Sequence, residues 1–446
     1  MEYHWDAIRD EVTHYLQDLV RIDTTNPPGN ETKAAEYLAG VLKREGIEPT
    51  ILEAVPGRGN LVARLKGDGH ATPLLLMVHI DVVPAEADKW THPPFGGEIA
   101  NGFLWGRGTL DTKELAAMEL MVLLLLKRAN APLGRDVIFM ANADEEAGGR
   151  MGAGWMVKEH ADLIRSEYAI NEGGGFAIDI LGHRFFTCQV AEKGTARFAM
   201  RTRGKPGHGS QPHRDNSVLK LADAIQKIGV AEFPHHTSLT VKLLLEAVAA
   251  KLGKPYDKDL LALLDADKYR ATIQRLPLDE GLRTMLYAML HNTVTPTMLN
   301  AGSKVNVIPS VAEAKCDARL LPGQTSQSLL RELRSVIGKD VEIEFMDDTP
   351  ALESDFKSPL YDTITRVMAR HAPKAPLLPY LVVGATDARH VRKLGTKVYG
   401  FSPMLAPTSE LDRVHGHDER ISIDNLEFGT RVLHELVSEF CWKTSA

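Results

Sequence analysis

The sequence predicts an α/β protein, a doubly wound and mostly parallel sheet that carries an inserted ferredoxin-like α+β domain. Three observations lead there. Apolar runs such as residues 73–84 (PLLLMVHIDVVP) and 137–141 (VIFMA) end abruptly in polar residues. Such runs read as parallel strands buried on both faces, with polar groups at their carboxyl ends. Helical patterns alternate with them, giving β-α-β-α-β through residue 175. From about residue 191 the texture changes to half-exposed alternating strands in the order β-α-β-β-α-β, the ferredoxin-like arrangement.

Taken in order, residues 4–20 form an amphipathic helix, 21–30 (RIDTTNPPGN) a loop, 31–45 a second helix and 60–67 a strand. The strand at 73–84 carries His79 and Asp81, two apart and so on one face of an extended segment. Residues 88–111, rich in Gly, Pro and aromatics, make a loop and hairpin that deliver Asp111. The helix at 112–128 is apolar nearly all round and therefore buried. The 137–141 strand leads into Glu145 and Glu146, a helix spans 152–164, and a strand at 168–175 carries Glu172. The inserted unit follows: a strand at 195–204, a Gly-rich turn with His208, a helix at 217–228, a mostly helical stretch at 239–290, and two strands framing 304–323. A helix at 326–337 and a strand at 341–345 close it. The first domain then resumes with a helix at 360–371, residues 382–390 (VVGATDARH), a strand at 397–401, residues 411–426 (LDRVHGHDERISIDNL) and a last helix. The expected division is 1–191 and 349–446 for the first domain and 192–348 for the insertion, with extra helices near 230–295.

Composition narrows the function. The chain has 446 residues, 44% hydrophobic and 25% charged, as in ordinary globular proteins with room for a large core. A formal net charge of −7 without a basic block excludes nucleic acid as a partner. Cys188, Cys316 and Cys441 are too dispersed for a disulfide framework or a CxxC metal site, which points to a reducing, cytoplasmic setting. The charged start MEYHWDAIRDEV lacks the apolar core of a signal peptide, and the longest apolar run, 120–126, is too short to span a bilayer, so no membrane association is expected.

The chemistry-bearing residues gather after strands or in Gly-rich loops: His79, Asp111, Glu145, Glu146, Glu172, and His415 or His417. Taken alone, two adjacent glutamates read as a solvated turn and a His–Asp pair as a core histidine. Together, imidazoles and carboxylates without a thiolate suit Zn²⁺ first, with Co²⁺ or Mn²⁺ as alternatives. One carboxylate shared between two ions, with one His and one further carboxylate on each, gives two three-ligand sites with open positions. One carboxylate is then left over as a general base.

The runs HIDVVP, GRGTLDTK, ADEEAGG, NEGG and HGHDER, in this order, resemble the dizinc aminoacylase/carboxypeptidase family of metallohydrolases. That family includes acetylornithine deacetylase, succinyl-diaminopimelate desuccinylase and glutamate carboxypeptidase. The stretch WTHPPFGGEIANGFLWGRGTLDTK is most similar to the carboxypeptidase S and N-acyl-amino-acid hydrolase branch. The resemblance covers essentially the whole chain and implies a homodimer built through the inserted domain. It implies that Asp111 bridges two metal ions, that His79 and Glu172 complete one site, and that Glu146 and His415 complete the other. His415 is preferred to His417 because Glu419 follows it by four residues. Asp81 would orient His79, and Glu145 would be the base. The Asp111–Thr112 peptide would be cis, although Thr112 stands where many relatives have Asp or Asn.

The same resemblance implies that His208 stabilises the oxyanion in the partner's site. Asn306 and Arg319 would grip a substrate carboxylate, and Gly384, Thr386 and Arg389 would line the substrate loop. The expected activity is hydrolysis of an amide bond beside a free carboxylate, in an N-acyl amino acid or a short peptide. A dipeptidase or aminopeptidase of the same fold is the first rival; Glu at position 172 favours the acylase/carboxypeptidase side. A non-catalytic metal-binding protein is the second, disfavoured by the full ligand set together with Glu145.

Overall fold

The computed structural model describes residues 3–406 and 408–443. The chain divides into two compact units. One holds the residues up to Val190, Ser354–Pro379 and those from Thr386 on; the other holds Ala191–Glu353 and Tyr380–Ala385.

The first unit is built on a mixed sheet in the order Pro49–Glu53, Gly59–Leu65, Arg135–Asn142, Ala71–His79, Tyr168–Asn171, Lys397–Gly400, His183–Glu192. The central four strands are mutually parallel, and antiparallel strands flank them. The apolar runs that defined these strands divide residue by residue between the two faces. Leu74, Leu76, Val78, Val137, Phe139 and Ala141 enter one core, while Leu75, Met77, Ile138 and Met140 enter the other. A run with no polar alternation is what a strand covered on both sides requires. The first core is covered by the helices Trp5–Arg21, Thr32–Arg44, Lys113–Arg128, Pro359–His371 and Ile423–Cys441, the second by Ala153–Glu159 and Ala388–Val391.

The helix Lys113–Arg128 is buried at every residue from 113 to 126. Lys113 donates to the carbonyls of Leu19 and Ile22, at 3.0 and 2.8 Å, and so closes the end of the Trp5–Arg21 helix. Farther along, both carboxylate oxygens of Glu119 and one of Glu114 are buried without a hydrogen-bond partner.

Several local features differ from the sequence reading, among them the strands Pro49–Glu53 and Ala177–Ile180, which it did not place. The helix expected at 152–164 is broken at His160 into Ala153–Glu159 and Ala161–Ile164. The strands His183–Glu192 and Leu377–Val382 lie where no strand was expected. In His183–Glu192, every residue from Phe185 on is buried, so its sequence lacks the alternation that marks a half-exposed strand.

The second unit contains an antiparallel sheet ordered Thr293–Ala301, Val311–Leu320, Phe198–Arg203, Glu342–Phe345. Val311–Leu320 buries alternate residues, and Ala312, Ala314, Cys316, Ala318 and Leu320 pack under the helices Ser217–Val230 and Ser326–Ile337. The second of those helices starts with a capping box between Thr325 and Ser328. This is the β-α-β-β-α-β pattern, interrupted by the helices Leu239–Leu252, Asp257–Ala262, Ala266–Arg275 and Glu280–Leu290. Among the described residues, no helix is long and apolar enough to cross a membrane.

Candidate metal centre

The parallel strands deliver the polar residues at their carboxyl ends. His79 is the last residue of Ala71–His79, and Glu172 directly follows Tyr168–Asn171. Beyond Arg135–Asn142 the chain turns through Asp144, at φ 71°, into the single 3-10 turn Glu145–Ala147. Asp111 lies in the loop ahead of the Lys113–Arg128 helix, and its bond to Thr112 is cis. His415 arrives from far along the chain. Arg420–Ser422 pairs with Phe103–Trp105, which pairs with Glu98–Ala100, so the C-terminal loop is held beside the hairpin that precedes Asp111.

Asp111 stands between the two histidines. Its Oδ1 is 3.0 Å from Nε2 of His79, and its Oδ2 is 3.0 Å from Nε2 of His415. Nε2 of His415 is also 3.2 Å from Oε1 of Glu146, and Nε2 of His79 is 3.8 Å from Oε2 of Glu172. Ligand atoms of His79, Glu145 and Glu172 lie within 4.8 Å of one another, as do those of His79, Asp111 and Glu146. Glu145 is thus as close to the cluster as a ligand would be. His417 points elsewhere, with Nε2 3.0 Å from the exposed Glu86.

A buried scaffold fixes these groups. Nδ1 of His79 is 3.0 Å from the backbone carbonyl of Asp81 and 3.4 Å from its carboxylate, which leaves Nε2 free to face the cluster. The Asp81 carboxylate accepts the backbone N–H groups of Glu145 and Glu146, at 3.1 and 3.2 Å, and Nδ2 of Asn26 at 2.8 Å. One aspartate therefore sets both the imidazole and the turn bearing the glutamates. Arg58 donates to Glu31 and Asp144, each at 2.8 Å, which anchors the residue just before Glu145. Glu419 accepts the backbone N–H groups of Gly108 and Leu110, at 3.1 and 2.7 Å, in the loop that presents Asp111. In the sequence Glu419 was visible only as a spacing marker. Asn26, Glu31, Arg58 and Asp144 gave no signal, because their partners lie tens of residues away.

The electrostatics fit a cation. Burial pushes the Glu145 and Glu172 carboxyls above their ordinary range, and the charge of Glu172 adds to the effect on Glu145. Burial also opposes ionisation of Asp111, yet hydrogen bonds from His415 and His79 hold it well below the usual carboxylate value. Burial alone would lower His79, but Glu172, Asp111 and Asp81 raise it well above its ordinary value. Hydrogen bonds to Asp111 and Glu146 raise His415 to about 10. Four acidic groups converge here with only two imidazoles, an excess of buried negative charge that divalent ions would neutralise. The donors are imidazole nitrogens and carboxylate oxygens, a set suited to Zn²⁺, Co²⁺ or Mn²⁺.

The expected substrate residues fall into two groups. His208, Asn306, Arg319 and Gly384 belong to the second unit. There His208 is exposed, with Nδ1 2.7 Å from the Ser210 hydroxyl, and its short strand pairs with Val307–Ile308, directly after the exposed Asn306. Arg319 forks onto Asp317 at 2.6 and 3.1 Å. Gly384 is half-buried. Thr386 and Arg389 belong to the first unit. The Thr386 hydroxyl is buried and accepts from Asn171 and from the backbone of Ala388, each at 3.2 Å. Nη2 of Arg389 lies 3.7 Å from Oε1 of Glu145.

A family model for peptidase family M20/M25/M40 matches residues 75–439. The chain is 30% identical over 427 residues to the bovine (Bos taurus) N-fatty-acyl-amino acid synthase/hydrolase PM20D1, covering 92% of this chain and 83% of that protein. It is 31% identical over 379 residues to a probable carboxypeptidase S-like 2 of Dictyostelium discoideum, covering 82% of this chain and 71% of the relative. Among solved structures, an M20 family metallo-carboxypeptidase from Sulfolobus solfataricus has a similar fold, with a TM-score of 0.71, 19% identity and coverage of 97% and 99% of the two chains.

Proposed function

The chain belongs to peptidase family M20/M25/M40, metal-dependent hydrolases of amide and peptide bonds, and from that premise we propose that it is a two-metal hydrolase of N-acyl amino acids or of short peptides cut from the C-terminal side. The observation that carries this reading is Asp111, whose two oxygens each meet a different imidazole at 3.0 Å. Asp111 would be shared between a His79–Glu172 group and a Glu146–His415 group. Two divalent ions held there, Zn²⁺ first, would polarise a carbonyl and lower the pKa of water.

Glu145 is the remaining acid and serves as general base. It removes the proton from the water that attacks the amide carbon. As the carbon–nitrogen bond breaks, it hands that proton to the departing amine. Burial keeps its basicity above that of a solvated carboxylate, which suits the task. Arg389, with Nη2 3.7 Å from Oε1 of Glu145, would steady that carboxylate beside the substrate. In a homodimer formed through the second unit, His208 of one subunit would stabilise the oxyanion in the site of the other. Asn306 and Arg319 would hold the substrate carboxylate, a two-pronged contact that arginine makes and lysine does not.

The deciding experiment compares N-acyl amino acids, their C-terminal amides and free dipeptides, with and without chelator. Chelator-sensitive turnover of the free acids, with the amides poor, is expected. Equal turnover of acid and amide would remove carboxylate recognition, and preference for free dipeptides would favour an aminopeptidase.

A further inference from the structure

Behind Glu145 lies a second buried cluster, built by residues 386–390. Asp387 is 2% exposed. Its Oδ2 accepts Nδ2 of Asn142 at 2.6 Å, and Asn142 is the last residue of the strand that feeds the paired glutamates. Its Oδ1 is buried without a hydrogen-bond partner, 3.8 Å from Nε2 of His390. That same Nε2 is 3.1 Å from the carbonyl oxygen of Gly148 and 3.3 Å from Nε of Arg389. The opposite end of Arg389 reaches Glu145. Gly149, at φ +69°, leaves the space this needs, since a Cβ there would collide with Asp387 and His390.

We propose that Asp387 and His390 are positioning residues for Arg389 and, through it, for Glu145. The inference rests on the hydrolase reading, in which Glu145 is the base. An arginine side chain must lose its rotamer entropy before it stays beside one carboxylate oxygen. A second fixed point along the side chain reduces that freedom, and the imidazole of His390 supplies one at Nε. The imidazole needs its own anchor. With Nε2 accepting from Arg389, the ring is held by close packing: a Cβ at Gly149 or at Gly154 would meet it at 2.9–3.1 Å, while Asp387, whose Oδ2 holds the strand end, stands 3.8 Å from its Nε2. Burial, with the charge of Arg389, brings His390 down to about 4, so the ring is neutral and has one lone pair to offer. One buried carboxylate thus holds the strand end and abuts the ring that accepts from the arginine meeting the base.

The test is a double-mutant cycle on the metal-loaded enzyme. Arg389→Ala, His390→Ala and the double variant are compared with the wild type, with His390→Gln and Asp387→Asn as conservative companions. Misplacing a reacting group by an ångström costs about 10²-fold, so we expect kcat to fall at least about tenfold for His390→Ala and Asp387→Asn, with KM within about twofold and full metal content. His390→Gln should recover part of the loss. The double variant should be no slower than Arg389→Ala alone, the mark of residues acting in series. Strictly additive losses, or wild-type kcat in both His390→Ala and Asp387→Asn, would overturn the proposal. A crystal structure of His390→Ala gives a readout independent of turnover: the Arg389 guanidinium should leave Glu145, and its staying in place would equally overturn the idea. Failure of the wild type on every acyl and peptide substrate would instead sink the hydrolase reading itself.

Discussion

Arg107 and Glu419 form a fully buried ion pair, with Nη1 of the arginine 2.5 Å from Oε2 of the glutamate. Arg107 also donates to the carbonyl of Gly416, at 2.8 Å, and Glu419 receives the backbone of Gly108 and Leu110. The pair therefore clasps the loop before Asp111 to the loop that carries His415. Removing one partner of such a pair leaves an uncompensated buried charge and costs about 3–5 kcal/mol. Glu419→Ala should lower the denaturation midpoint and release metal from an otherwise folded chain, measured by urea titration and elemental analysis. Unchanged stability and metal content would show that the clasp is dispensable.

Glu145→Gln should retain full metal content and lose about 10²–10⁴-fold in turnover, the range for a general base. Because Glu145 is within ligand distance of His79 and Glu172, loss of metal in this variant would reassign it as a ligand.

His415→Ala should lose one equivalent of metal and His417→Ala little, since His415 faces Asp111 and Glu146 while His417 faces the exposed Glu86. The opposite outcome would move the C-terminal donor by two residues.

Glu119 predicts a pH effect on stability. Burial, reinforced by Glu114, pushes its folded pKa well above the ordinary carboxyl value. Its stabilising neutral form is fully present below the unfolded value of about 4.3, and the contribution is lost as pH rises toward the folded value, by up to about 1.4 kcal/mol per pH unit. Glu119→Gln should therefore gain stability relative to the wild type as pH increases from about 5 to about 8. A pH-independent difference between the two proteins would show that Glu119 is not held neutral.

If His208 acts across a homodimer as proposed, mixing inactive Glu145→Gln subunits with inactive His208→Ala subunits should restore activity, because a mixed dimer would contain one site with both residues intact. Verified exchange without recovery would remove His208 from the partner's site.

Much of this was legible in the sequence wherever burial and chemistry changed sharply at one point. The HIDVVP, ADEEAGG and NEGG runs mark strand ends because an apolar segment stops at a charge. The inserted unit was readable because Val311–Leu320 alternates residue by residue. What escaped was a buried strand whose apolar run is broken by polar residues, as Thr187, Gln189 and Glu192 break His183–Glu192, and networks closed across the chain. Asn26 to Asp81, Arg58 to Asp144 and Asn142 to Asp387 join residues that each look like an ordinary loop or strand-end polar group. No local pattern announces such pairs, because the constraint that makes them exists only after folding.

The late position of His415 and Glu419 also orders events during synthesis. When the ribosome has passed the Tyr168–Asn171 strand and Glu172 after it, the nascent chain already carries His79, Asp111, Glu146 and Glu172. The parallel neighbour of that strand, Lys397–Gly400, is still more than two hundred codons away, and the imidazole that faces Asp111 and Glu146 comes later still. Contacts of such long sequence separation form slowly. The Tyr168–Asn171 strand therefore has no parallel partner on that side for the whole time the inserted unit is being translated.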